Sequence, residues 1–125
     1  MSRLRTILVV AAGLVLIASS AAHSLVGWPQ LSLRLTAEHL PLDLMSGLAM
    51  GWHFGGVAML TFGLLLLWLA SVAQRSINVR VPVGLIGVAY LGFGAGAAAA
   101  LGFDFFQVVF LAPGALLTIA ALMPD

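Results

Sequence analysis

The sequence predicts an all-α integral membrane protein, a bundle of four transmembrane helices joined by short loops. Three observations lead there. Of the 125 residues, 62% are hydrophobic and only 7% are charged, against ~25% charged in ordinary soluble domains. A soluble fold of this size hides only part of its apolar surface, so the bilayer has to act as the solvent. The apolar residues also fall into runs of the ~20 residues that a crossing helix takes. Together the runs predict one transmembrane domain over residues 1–125, with helices at about 7–27, 43–73, 81–101 and 104–123.

The first span follows Arg3 and Arg5. Its basic start, apolar run and small-residue stretch from Ala18 to Ala22 also fit a secretory signal peptide. Cleavage after Ala22 would leave His23 as the amino terminus, where amine and ring together suit copper; a chain read from Met1 favours an uncleaved anchor. Ser19, His23 and Gly27 lie along one ridge, flanked by Ser20 and Ser24, which marks the face turned toward other helices. Trp28-Pro29 is expected to end the helix, because proline cannot continue it. Residues 30–42 alternate leucine with polar side chains and pair Arg34 with Glu38 at i, i+4. They are expected to lie on the membrane surface.

The second span opens at Pro41 and Asp43, both suited to a first helical turn. Gly47, Gly51 and Gly55 repeat every four residues and predict a groove for close helix contact. His53 falls on the opposite face. After a short loop with Arg75 and Arg80 comes the third span, with ridges at Gly92/Gly96/Ala100 and Gly94/Ala98/Gly102. A tight turn at Gly102-Phe103-Asp104 leads to the fourth, which contains Pro113-Gly114. The spans are expected to pair as two hairpins.

Arginine-rich short loops stay in the cytoplasm. Arg3, Arg5, Arg75 and Arg80 then predict a multi-pass protein of the inner membrane with both termini cytoplasmic. His23, His39, Glu38, Asp43, Asp104 and Gln107 gather at the other, outer end, with His53 somewhat deeper.

That cluster carries the functional reading. An ionisable residue inside a span is a functional candidate, neutral imidazole is a common metal ligand, and bundles build cofactor sites from facing helices. His23 and His53 are therefore the candidate cofactor-binding pair. His23, His53 and His39 are the candidate metal ligands, with Ser20, Asp104 and Gln107 as supporting hydrogen-bond partners. The cofactor would be haem or a transition metal (copper, zinc or iron). The competing structural reading has each histidine tying helices together and Asp104 capping the fourth helix.

Two further function classes stay open. One is a non-catalytic accessory subunit of a larger membrane complex or a homo-oligomer, using the glycine ridges. The other is a small transporter. The size and helix count resemble the small multidrug transporters, which carry an essential glutamate in their first helix; this chain has none there. No serine-nucleophile motif, phosphate loop or basic pocket points to hydrolysis or nucleotides. The net charge of +1 suggests no nucleic-acid partner, and the absence of cysteine removes disulfides and thiolate ligands.

Overall fold

The computed structural model describes residues 2–72 and 78–124. Its helices are α1 (Arg3–Ala22), α2 (Trp28–Ala37), α3 (Leu42–Val72), α4 (Arg80–Leu101) and α5 (Val108–Leu122). A π-helical turn at His23–Gly27 joins α1 to α2, and a 3-10 turn at Phe105–Gln107 precedes α5. Four stretches are long and apolar enough to cross a membrane: Arg3–Ala37, Leu42–Val72, Arg80–Leu101 and Phe105–Leu122. This is the all-α four-helix bundle that the composition predicts, and it is compatible with a small multi-pass membrane protein. The expected end of the second span near Ala73, and Arg75 in the loop after it, lie outside the described residues.

The first helix differs from expectation. It does not stop at Trp28-Pro29 but continues to Ala37, so residues 30–37 extend the first span. The reason is the π turn. In an unbroken α-helix Pro29 would leave a carbonyl one turn back without its donor and press its ring against it. Here the ladder widens just before the proline, and Trp28 N–H bonds to His23 O, five residues back. Pro29 then sits in the first turn of α2, where no N–H is required.

The helix ends in a C-terminal motif that explains His39. Leu40 N–H bonds to Leu35 O (3.3 Å) and His39 N–H to Thr36 O (3.1 Å), the paired bonds of a Schellman cap. The residue between must take a left-handed conformation, and His39 has φ 56°. Glycine usually holds this place because it has no Cβ to clash; histidine is among the side chains that tolerate it.

The helices pair as two hairpins, α1 with α3 and α4 with α5, and α1 joins them by packing on α5. Val9, Ala12 and Leu16 of α1 meet Leu66 and Leu69 of α3, Val83, Ile86 and Tyr90 of α4, and Leu117 and Ala120 of α5 in one core. Many other large apolar side chains point outward, among them Phe54, Leu64, Trp68, Leu85, Phe93 and Ile119, as expected where lipid is the neighbour.

Of the glycines in the expected four-residue repeats, Gly55 and Gly94 make close contacts, against His23 and Leu111, and the others named next do not. Gly47 and Gly51 have open space where a side chain would sit, and so do Gly92 and Gly96. The closest contacts lie outside these repeats. A Cβ at Gly63 would come within 2.7 Å of Ile17 and 2.8 Å of the Gly13 carbonyl. Gly87 lies against Thr118, and Gly114 against Leu91, each with a backbone nitrogen 2.7 Å from the would-be Cβ.

The end of the bundle near the chain termini is closed by two arginines. Arg5, only 3% exposed, donates to the carbonyls of Met123 and Pro124. Arg80 donates to the same Met123 carbonyl at 3.0 Å. The first turns of α1 and α4 thus hold the carbonyls just past the end of α5, where cations also suit the helix dipole. This places the starts of the two hairpins level. The α1–α2 stretch of 35 residues rises ~52 Å and α4, with 22 residues, ~33 Å, so the first hairpin overhangs the second at the far end.

Two outcomes are expected from this packing. Gly63→Ala should destabilise the protein by about 1–3 kcal/mol through overpacking, whereas Gly51→Ala should leave thermal unfolding in detergent nearly unchanged. His39→Gly should raise stability by up to about 1 kcal/mol by relieving the left-handed strain, read in the same unfolding assay.

Candidate functional site

The site begins with the ridge Ser20, His23, Ser24 and Gly27 on the first helix, which faces Trp52, Gly55 and Gly56 of α3. Ser20 and His23 stand one turn apart, and the π turn starting at His23 frees its carbonyl from the ordinary ladder. Gly27, Gly55 and Gly56 let large rings in. A Cβ at Gly27 would lie 3.0 Å from the Trp52 ring, one at Gly55 3.3 Å from the His23 ring, and one at Gly56 2.3 Å from Ser24 Oγ.

Within this space His23 and Trp52 form a reciprocal interlock. Their rings stack in parallel, centroids 4.2 Å apart with 3° between planes. His23 Nε2 lies 2.9 Å from the Trp52 carbonyl. A carbonyl only accepts, so Nε2 carries the ring proton. In return Trp52 Nε1–H donates to the His23 carbonyl at 2.8 Å. One turn away the Ser20 hydroxyl donates to Gly56 O at 2.7 Å. With no water in a hydrocarbon layer, polar groups need protein partners, and here each helix supplies them to the other. His23 Nδ1 is buried and has no hydrogen-bond partner.

The remaining candidates stand apart from this pair. His53 is exposed, and its ring packs against Trp28, centroids 5.6 Å apart. Trp28 in turn lies 6.3 Å from Trp52, so the two histidines face different tryptophans. His39 belongs to the helix cap described above. Asp104 and Gln107 form a capping box at the start of the fourth span. Asp104 Oδ1 accepts from Phe106 N–H (3.1 Å), Gln107 Oε1 accepts from Asp104 N–H (3.0 Å), and Gln107 Nε2 donates to Gly102 O (2.9 Å). Gly102, at φ 81°, makes the turn possible. Among the described residues no group of three or more His, Asp or Glu side chains is placed to hold a metal ion.

What the interlock does build is a wall of a cleft of about 520 Å³, within the ~300–1,000 Å³ typical of small-molecule sites. Ser19, Ala22, His23, Val26, Gln30 and Arg34 line it from the first helix, Trp52 and Met59 from α3, and Phe105, Phe106 and Val109 from the shorter hairpin. It lies where the first hairpin overhangs the second. Its walls are mostly apolar, with Gln30 and Arg34 at one end. Reading along the chain missed this site because the cleft depends on the continuation of helix one past Pro29. The signal present in the sequence was the ridge of Ser19, His23 and Gly27 with Ser20 and Ser24 beside it.

Comparison with known protein families, with curated proteins and with solved structures finds no match.

The interlock predicts strong coupling. His23→Leu and Trp52→Phe should each cost about 1–2 kcal/mol of stability in detergent. The double variant should cost clearly less than the sum, because both changes remove parts of one unit. Additive losses would show that the two side chains act separately.

Proposed function

We propose that this protein is a small multi-pass membrane protein that binds a lipophilic molecule in the cleft between its two hairpins, acting as a binding or accessory module rather than through a metal. The observation that carries the reading is the cleft itself: three helices line a half-open, mostly apolar volume of ligand size, and the His23–Trp52 interlock holds one wall rigid. A preformed, mostly apolar cleft with a few polar groups at one end is the usual form of a small-molecule site.

The same reading sets the protein in the inner membrane with both termini in the cytoplasm. Arg3 and Arg5 precede the first span, and Arg80 shares the Met123 carbonyl with Arg5, so these charges belong to one end. The cleft then opens in the outer half. The open faces at Gly47, Gly51, Gly92 and Gly96 leave room for another helix, which supports association with a second copy or a larger complex.

A second reading keeps His23 as a ligand to haem or a transition metal. One feature favours it: a ring N–H held by a backbone carbonyl is the usual way a ligating imidazole is oriented, leaving Nδ1 as the donor. His53, against Trp28, is not brought to the same point.

The two readings separate in one preparation. Gently purified protein should show, by native mass spectrometry, a bound lipophilic molecule that is lost in Ala22→Phe, which fills the cleft. It should show no haem absorbance and no stoichiometric metal. A delipidated protein that takes up no such molecule, or a wild-type protein carrying haem or metal lost in His23→Ala, would overturn the proposal.

A further inference from the structure

The cleft is cationic at one end, where Gln30 and Arg34 lie, and carries only the small Ser19 hydroxyl at the other. Following the first helix from Ser19, the lining residues are Ala22, His23, Val26 and Gly27, then Gln30, Leu31 and Arg34. The facing wall runs from Met59 to Trp52 on α3 and from Val109 to Phe105 on the second hairpin. Side-chain hydrogen-bond donors free to meet a ligand are therefore concentrated at the Arg34 end. His23 Nε2–H is already given to Trp52.

Dimensions follow from the helix rise. Ser19 and Trp28 are nine positions apart, ~14 Å along the axis, close to half of a ~30 Å hydrocarbon core. Arg34 stands six positions beyond Trp28, a further ~9 Å. With Trp28 and Trp52 at the depth where tryptophan prefers to sit, the apolar part of the cleft spans one leaflet and Arg34 reaches headgroup level. Glu38 lies one turn past Arg34, yet Arg34 makes no side-chain hydrogen bond or ion pair among the described residues. It is also the one arginine of the chain in residues 28–43. A guanidinium presents a planar fork that matches the paired oxygens of carboxylate or phosphate.

We infer that the cleft takes a single-tailed anionic amphiphile, with its long apolar tail laid between the hairpins and its carboxylate or phosphate oxygens bound by Arg34 with help from Gln30. This rests on the binding-cleft reading above and adds the chemical class of the ligand. The shared chemistry, an oxyanion on one long tail, has two sources: a free fatty acid or a single-chain lipid phosphate.

Tail-brominated probes test it, since bromine quenches tryptophan on contact and Trp52 lines the cleft. The full chain in detergent is titrated with a long-chain dibromo fatty acid, a single-chain phosphate bearing the same tail, and the matching alcohol. At least one anionic probe should quench saturably with an affinity about tenfold above the alcohol, the gain of one charge-assisted contact. Arg34→Gln should abolish that preference while leaving alcohol binding in place, and Arg3→Gln, at the other end of the bundle, should not. The tighter of the two anions identifies the source. Equal binding of alcohol and anions, unchanged in Arg34→Gln, would overturn the anionic headgroup and leave a lipophilic cleft. With Trp28 and Trp68 replaced by Phe so that only Trp52 reports, failure of every probe to quench saturably, or saturable quenching that persists in Ala22→Phe, would overturn the cleft reading as well.

Discussion

The arrangement depends on the exchange of hydrogen bonds between His23 and Trp52. Each side chain donates to the backbone carbonyl of the other, so neither helix can slide or rotate without losing both bonds and the ring stack. Such bonds are modest singly within membranes. Their combination with the Ser20–Gly56 contact and the side-chain-free surface at Gly27, Gly55 and Gly56 sets the register of the first hairpin. That register sets Trp52 against His23 and Gly27 and leaves Met59 two turns nearer the Ser19 end, and so shapes one wall of the cleft.

The two ends of the bundle use polar groups differently. At the terminal end, Arg5 and Arg80 are spent on the carbonyls that follow α5, a closure that ties α1, α4 and the end of α5 together. At the far end the capping box of Asp104 and Gln107 and the cap at His39 finish the helices locally, using their own neighbours. Arg34 is left beside the cleft. Among the described residues, many polar side chains thus complete backbone hydrogen bonding, whereas Gln30 and Arg34 line a cavity.

Much of the fold was legible in the sequence: four apolar runs, two hairpins, a tight turn at Gly102, and a helix face carrying Ser19, His23 and Gly27 with Ser20 and Ser24 beside it. What stayed hidden has physical causes. In a soluble helix the apolar stripe reveals which side is buried, but here lipid-facing and core-facing positions are equally apolar. The rotation of α3 could not be read: of the evenly spaced Gly47, Gly51 and Gly55 only Gly55 makes a contact, and Gly56 and Gly63, outside that repeat, make the closest ones. Pro29 read as a terminator because the usual penalty assumes an unbroken α-ladder; a single π turn removes it. The arginines read as topological signals, and nothing in their spacing told that two of them close a helix terminus 118 and 43 residues away. Of the candidate site, His23 was found from the ridge it shares with Ser19 and Gly27, and Ser20 from its place beside that ridge, while Gln30 and Arg34 were assigned to a surface segment that is in fact part of the first helix.

The central claim, that His23 and Trp52 lock the first hairpin by exchanging backbone hydrogen bonds, is tested most directly by nitrogen-15 NMR of the protein in a bilayer mimetic. The His23 ring should carry its proton on Nε2, with a scalar coupling from that nitrogen to the Trp52 carbonyl carbon and a second from the Trp52 indole nitrogen to the His23 carbonyl carbon. A proton on Nδ1 with Nε2 bare, or the absence of both couplings in well-folded protein, would contradict the account.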